Sequence, residues 1–265
     1  MFINNCTDLI LFMIIKQIFP DYIIKDIPEI DSTNRYTEEL LDDKLLPEGS
    51  LVFTRKQTRG IGQADNTWES EPHKNLTVTL VLYPSFLEVS DQFLLTVVVS
   101  LSVADVVNSL VNDEATRIKW PNDIYYNHRK IAGILIKNHI MGNTISASIA
   151  GVGLNINQSV FHNAPLATSL KLLTGKEFSM DEVLSKWHDR VAYYYSELKS
   201  GHHNLLDEYL SRLYLKDTPV DYMIHQQHVT ASIKGVDQYG QLVLWDASGK
   251  KYTCGLKDIV YPRFG

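Results

Sequence analysis

Lys119-Trp120-Pro121-Asn122-Asp123-Ile124-Tyr125-Tyr126-Asn127-His128-Arg129-Lys130-Ile131-Ala132-Gly133 is the stretch from which the rest of the chain can be read. Two strand-like runs, Arg117–Trp120 and Ile131–Lys137, flank a segment carrying Pro, Asn, Asp and a basic pair. Pro121 pushes Trp120 towards extended geometry, and Asn122 and Asp123 are turn formers. The second run is apolar on both of its alternating faces, as expected of a strand covered on both sides. Polar groups at the mouth of such a sheet are where ligands usually meet a chain. From this stretch alone, a solvated hairpin tip and a ligand site are equally good readings.

The surrounding composition narrows the classes. With 265 residues the chain is long enough for one large domain and a small one. A net charge of −6 argues against a nucleic-acid binder driven by phosphate neutralisation, although a local field can still hold an anionic small molecule. Cys6 and Cys254 have no CxxC spacing, and the nine histidines form no HxxxH or HExxH pattern. No disulfide framework and no protein metal-ligand cluster is therefore expected, which suits a cytoplasmic location. The apolar run Leu9–Ile15 is too short to span a bilayer and is closed by Lys16. The expectation is no membrane partner, with residues 1–20 an N-terminal extension of uncertain order.

Working outward, Tyr22–Ile30 reads as a first strand. Asp31-Ser32-Thr33-Asn34 then supplies more polar residues than a helix cap needs. Ser50–Thr54 is a second strand, leading into an aperiodic loop, Arg55–Trp68, in which Gly60 and Gly62 let backbone amides approach an anion. That loop matches neither a dinucleotide fingerprint nor a P-loop. Asn75–Tyr83 alternates as a strand with one face in a core, and Gln92–Val111 is long enough to be a buried helix. Met141-Gly142-Asn143-Thr144 is a turn between two strands, the second running into Gly151-Val152-Gly153-Leu154-Asn155-Ile156-Asn157. Ser179 to Glu182 is a capping box for a helix to about Leu198, and His202–Leu215 reads as another. From about Thr218 four short strands and two turns predict a small β module.

Five motifs occur in one order and spacing: DSTN (31–34), QTRGIGQADNTW (57–68), KWPNDI (119–124), RKIAGIL (129–135) and GVGLNIN (151–157). Together they closely resemble the biotin–protein ligase family, also called biotin–[acetyl-CoA-carboxylase] ligases. The resemblance implies an α/β (α+β) catalytic domain at 21–216, a mixed sheet flanked by helices of the class II aminoacyl-tRNA synthetase/biotin ligase type. It implies a C-terminal SH3-like β-barrel at 217–265. The implied reaction forms biotinyl-5′-AMP from biotin and ATP with Mg²⁺, then transfers biotin to a lysine of a biotin carboxyl carrier domain.

The resemblance also assigns residues. Lys130 is implied as the cation contacting carboxylate and phosphate, with Lys119 and Asp123 handling phosphate or Mg²⁺. Biotin falls to Ser32, Thr33, Asn34 and Gln57, to Gly60, Ile61, Gly62 and Gln63, and to Lys130, Gly133 and Gly151. The adenylate falls to Gly60, Gly62, Gln63 and Lys130, with Trp68 stacking on adenine and Asn122 and Asn155 bonding its edge. One departure matters: the family loop commonly reads GRGRxGR, whereas Ile61 and Gln63 replace both arginines here and Asp65 takes the third glycine position. Arg59 is the expected substitute, and the loss of one charge-assisted contact should cost about 1.5–3 kcal/mol. With thirty residues before Asp31 and no basic cluster there, the expectation is a ligase without operator binding. A homodimer is left open. The alternatives are a lipoate–protein ligase, whose RRxxGGG signature is not found, and a catalytically weak biotin or adenylate sensor. His128 and Arg129 are expected to be surface.

Overall fold

In the computed structural model, which describes residues 14–42, 45–63, 66–201 and 204–262, the opening stretch is part of a meander. Strand β6 (Thr116–Lys119) turns at a cis Trp120–Pro121 bond into β7 (Asp123–Tyr126), which pairs antiparallel with β8 (Arg129–Met141). Strand β7 is not expected from the sequence. Its one fully buried residue, Ile124, lies between polar and aromatic neighbours and leaves no alternation to detect. Asn127 takes the left-handed conformation, with φ 53°, at the next turn. Gly142, with φ 63°, occupies the tight turn into β9 (Thr144–Asn155).

Beyond β9 the sheet continues through β5 (Asn75–Leu82), β2 (Leu51–Thr54) and β1 (Ile24–Ile27), giving the order β1-β2-β5-β9-β8-β7-β6. Among its described strands only β1 and β2 run parallel, so the sheet is mixed, as expected. The two-residue strands β3 (Gly60–Ile61) and β4 (Thr67–Trp68) form a separate hairpin where the sequence suggests an aperiodic loop.

Helices cover both faces. Helix α1 (Thr33–Asp42) packs on β2, β5 and β9, where Tyr36, Leu40 and Leu41 meet Val52 and Val81. Helix α2 (Phe93–Val111) belongs to the main core with α3 (Leu170–Thr174), α4 (Met180–Lys199) and α5 (Leu205–Ser211). Strand β5 is consequently buried at every position, which corrects the one-faced reading. Its threonines are satisfied inside: Thr77 Oγ1 donates to Thr54 O at 2.8 Å and Thr79 Oγ1 to Asn34 Oδ1 at 2.6 Å. The segment Val89–Val111 is apolar and long enough to cross a membrane, but two thirds of it is buried within the protein. Ser179 caps α4 by accepting from Glu182 N, whereas α5 is shorter than the expected His202–Leu215 helix.

Two ends of the chain join this body. Ile15 and Phe19 are buried, and Phe19 stacks on His188 and Tyr195, so residues 14–19 are packed structure rather than a loose extension. Residues 1–13 lie outside the described residues. At the other end β10 (Val220–Ile224), β11 (Gln227–Val236), β12 (Leu242–Asp246), β13 (Lys251–Cys254) and β14 (Ile259–Val260) form an antiparallel sheet, order β13-β12-β11-β10-β14, curled into a half-barrel. Tyr222, Ile233, Leu242, Leu244 and Cys254 belong to the same continuous core cluster as the main sheet. Trp120 Nε1 donates to Gly240 O at 2.8 Å, bonding the opening turn directly to this module.

Candidate active site

Strands β8 and β9 pair Gly133 with Gly153 and Leu135 with Gly151, leaving a floor of nearly bare backbone. The Trp68 indole lies on that floor: a Cβ added at Gly153 would fall 2.3 Å from its ring, and one at Gly133 would fall 3.1 Å away. Hairpin β3–β4 delivers Trp68 there, with Gly60 paired to Trp68 and Gly62 N donating to Asn66 O at 2.6 Å. Asn34 covers Gly151, where a Cβ would lie 2.2 Å from its Oδ1. Above this floor is a cavity of about 580 Å³, within the usual range for small-molecule sites.

Its charges come from the opening stretch. Lys130 Nζ lies 2.6 Å from Asp123 Oδ1 and 5.7 Å from the Trp68 ring centroid. The Lys130 backbone is held on its outer side, its N–H donating to Leu166 O and its carbonyl accepting from Thr168 N. Between Ile124 and Tyr125 the β7–β8 register shifts, a bulge that re-aims side chains at the cavity edge. Lys119 lies across from Asp123 in the β6–β7 register. Burial pushes its ammonium below the ordinary lysine range; Asp123 opposes that shift and Lys130 adds to it. Asn122 closes the turn, its amide donating to Ile134 O while its own carbonyl accepts from Ile134 N.

Most of the residues singled out from the sequence line this one cavity. Ser32, Thr33, Asn34 and Gln57 form one wall, and Ile61, Gly62, Gln63 and Trp68 a second. Lys119, Asn122, Asp123 and Lys130 stand at the third, with Gly133 and Gly151 below. Gln57 also serves the fold, because its Oε1 accepts from Thr33 N at 3.0 Å and caps the start of α1.

Three do not reach the wall. Arg59 is exposed; its N–H bonds Asp31 O and its charge acts on Asp31, so it stands outside the cavity wall. Gly60 lies behind the wall, where an added Cβ would meet Trp68 O at 2.5 Å and Gln57 Nε2 at 2.7 Å. The closeness of the hairpin leaves no room for a side chain there. Asn155 is buried and donates to Thr168 O at 2.9 Å, so it is a strut beneath the site, with its Oδ1 unpartnered.

Other wall residues escape sequence reasoning. Tyr125 lies within the quoted stretch but carries no motif. Tyr214, Leu256, Lys257 and Tyr261 arrive from far along the chain, and nothing local in sequence signals that. His128, expected to be surface, is exposed but sits at the rim against the Tyr214 hydroxyl, with Nδ1 at 2.7 Å. Among the described residues no group of three or more His, Cys, Asp and Glu side chains could hold a metal.

Residues 27–155 match the model of the biotin/lipoate A/B protein ligase family. The bifunctional ligase/repressor BirA of Bacillus subtilis is 31% identical over 161 residues, 58% of this chain and 48% of that protein. The chain thus spans about half the length of such relatives. Biotin–[acetyl-CoA-carboxylase] ligase of Paracoccus denitrificans is 27% identical over 228 residues, covering 83% of this chain and 93% of that one. The biotin protein ligase of Aquifex aeolicus, solved with biotin and ATP, superposes with a TM-score of 0.74 at 23% identity, covering 91% and 99% of the two chains. Its likeness gives the fold, and the span 27–155, just under half of the chain, is what resembles the biotin/lipoate A/B protein ligase family.

Proposed function

We propose that this chain is an ATP-dependent biotin–protein ligase. It forms biotinyl-5′-AMP and transfers biotin to a lysine of a biotin carboxyl carrier domain of a carboxylase. The observation that carries this reading is the cavity in which Lys130 and Asp123 face Trp68 across a glycine floor.

In the first step a carboxylate oxygen of biotin attacks the α-phosphorus of ATP and pyrophosphate leaves. Two anions must meet, so catalysis depends on cations held where charge develops and on fixed orientation. Lys130 supplies such a cation, already ordered by Asp123 and the Trp68 face. Lys119 supplies a second, weakly solvated one. Mg²⁺ enters with ATP as part of the substrate. In the second step a neutral amine attacks the mixed anhydride, the C–O bond to phosphate breaks and AMP departs. No protein nucleophile is needed.

Ser32, Thr33, Asn34 and Gln57 form the polar wall for the ureido ring, whose buried polar atoms require partners. In this reading Trp68, lying on the glycine floor beside Lys130, is the stacking partner for the purine. With Arg59 turned away and Ile61 and Gln63 in the loop, the hairpin closes over the adenylate through the backbone N–H and the side-chain amide of Gln63. The test is incubation of the purified protein with biotin, MgATP and a carrier domain, read with streptavidin. Labelling is expected. Biotin binding without labelling would favour the sensor reading, and labelling by lipoate instead of biotin would favour the lipoate branch.

A further inference from the structure

Nothing in the sequence gives the half-barrel a chemical role, yet Val260, Tyr261 and Pro262 form part of the cavity wall. Tyr261 meets a charge there. Lys119 Nζ lies 4.7 Å from the Tyr261 ring centroid and 5.1 Å from that of Tyr125, whose hydroxyl is 3.3 Å away. One ammonium thus has two aromatic faces, one from the main sheet and one from the half-barrel. Tyr261 is itself braced edge-on by Tyr222 at 5.4 Å and 85°, and Tyr222 is fully buried in the module. The Tyr261 hydroxyl is buried without a hydrogen-bond partner, so its hold on Lys119 is through the ring.

The other end of the same turn is also fixed. Trp120 Nε1 bonds Gly240 O in the half-barrel and Tyr209 OH bonds Pro121 O at 2.8 Å. Lysine is a flexible side chain whose ordering costs rotamer entropy. A cation over an aromatic face is attracted by the ring quadrupole, most strongly when desolvated. Lys119 is half-buried, so its two ring contacts act in partly desolvated surroundings.

We infer that Tyr261 is a positioning residue: the C-terminal half-barrel completes the site by holding Lys119, through the Tyr261 ring, in place for the phosphates of ATP. This rests on the ligase reading for its substrate, but not for the holding itself. Because Lys119 would meet the polyphosphate before and during reaction, its loss from position raises KM for MgATP more than it lowers kcat.

Two measurements test it. The first needs no activity: the protein is pulse-acetylated with acetic anhydride and each lysine followed by mass spectrometry. Rates are followed across pH so that the neutral fraction, which burial raises for Lys119, is divided out. The neutral Lys119 amine is then expected to react at least about tenfold more slowly than that of the exposed Lys186. Tyr261→Leu is expected to remove most of that protection, and Tyr261→Phe to keep it. Equal pH-corrected rates for Lys119 and Lys186 in the wild type, or protection unchanged in Tyr261→Leu, would overturn the inference.

The second is biotin-dependent ATP–pyrophosphate exchange. Tyr261→Leu is expected to raise KM for MgATP about five- to thirtyfold, with KM for biotin within about twofold and Tyr261→Phe near wild type. On a Lys119→Met background, Tyr261→Leu is expected to add little further change in KM. A general folding defect would instead lower kcat, affect both substrates and add to Lys119→Met, and that pattern sinks the proposal. If the wild type shows no exchange, the ligase reading fails, while the acetylation arm still decides whether Tyr261 holds Lys119.

Discussion

Lys130 and Asp123 form an ion pair that is about one third exposed on each side, so its own contribution to stability is small. Its value is positional, keeping a cation beside Trp68 before substrate arrives. A buried group elsewhere makes the clearest stability prediction at this scale. His188 lies in the core against Phe19, its Nε2 2.9 Å from Gly49 O, and burial pushes its pKa down to about 4 from 6.5. The folded state therefore requires the neutral ring. Its contribution is complete above the unfolded pKa of 6.5 and is lost as pH falls from there through about 4, roughly 3 kcal/mol in all. Urea titrations at pH 7 and pH 4.5 should show this loss, and His188→Phe should show a flatter dependence over the same window. An equally steep fall in that variant would assign the acid sensitivity to other groups.

Residue roles are legible in sequence only where a motif carries them. Lys130, Asn122, Trp68 and Gln57 all reach the cavity. Arg59 is singled out by its position alone, and it lies in a bend, exposed, with its backbone N–H bonded to Asp31 O. Asn155 lies on a motif but is buried behind the cavity, where its amide bonds Thr168 O, because a buried amide on a motif can serve as a strut.

At the scale of elements, the glycines of β8 and β9 explain why a long apolar hairpin carries a site. Side chains on either strand would occupy the place of Trp68 and Asn34. Gly153→Ala puts a methyl 2.3 Å from the indole, with β9 otherwise able to accept alanine. Overpacking of this kind costs about 1–3 kcal/mol. The variant should therefore lose about five- to a hundredfold in ATP-dependent biotinylation while keeping its fold by circular dichroism. Unchanged activity would mean that Trp68 does not need the floor. Strands β2, β5 and β9 and helix α2 are legible because length and apolar pattern agree. Strand β7 and hairpin β3–β4 are not, because pairing across a turn, rather than periodicity, makes them strands.

For the whole molecule, one core cluster runs from Ile15 through the main sheet to Cys254 in the half-barrel, and the cavity opens where the two parts meet. Both parts are visible in the sequence, since their periodicities differ, but the seam between them is not. Contacts such as Trp120 to Gly240 join residues 120 positions apart and leave no local mark. If this cavity joins biotin to ATP through Lys130, labelled pyrophosphate exchanges into ATP in the presence of biotin, and comparing wild type with Lys130→Ala decides it. Exchange is expected to require biotin and to fall at least about a hundredfold in Lys130→Ala. Exchange without biotin, or equal rates in the two proteins, would contradict it.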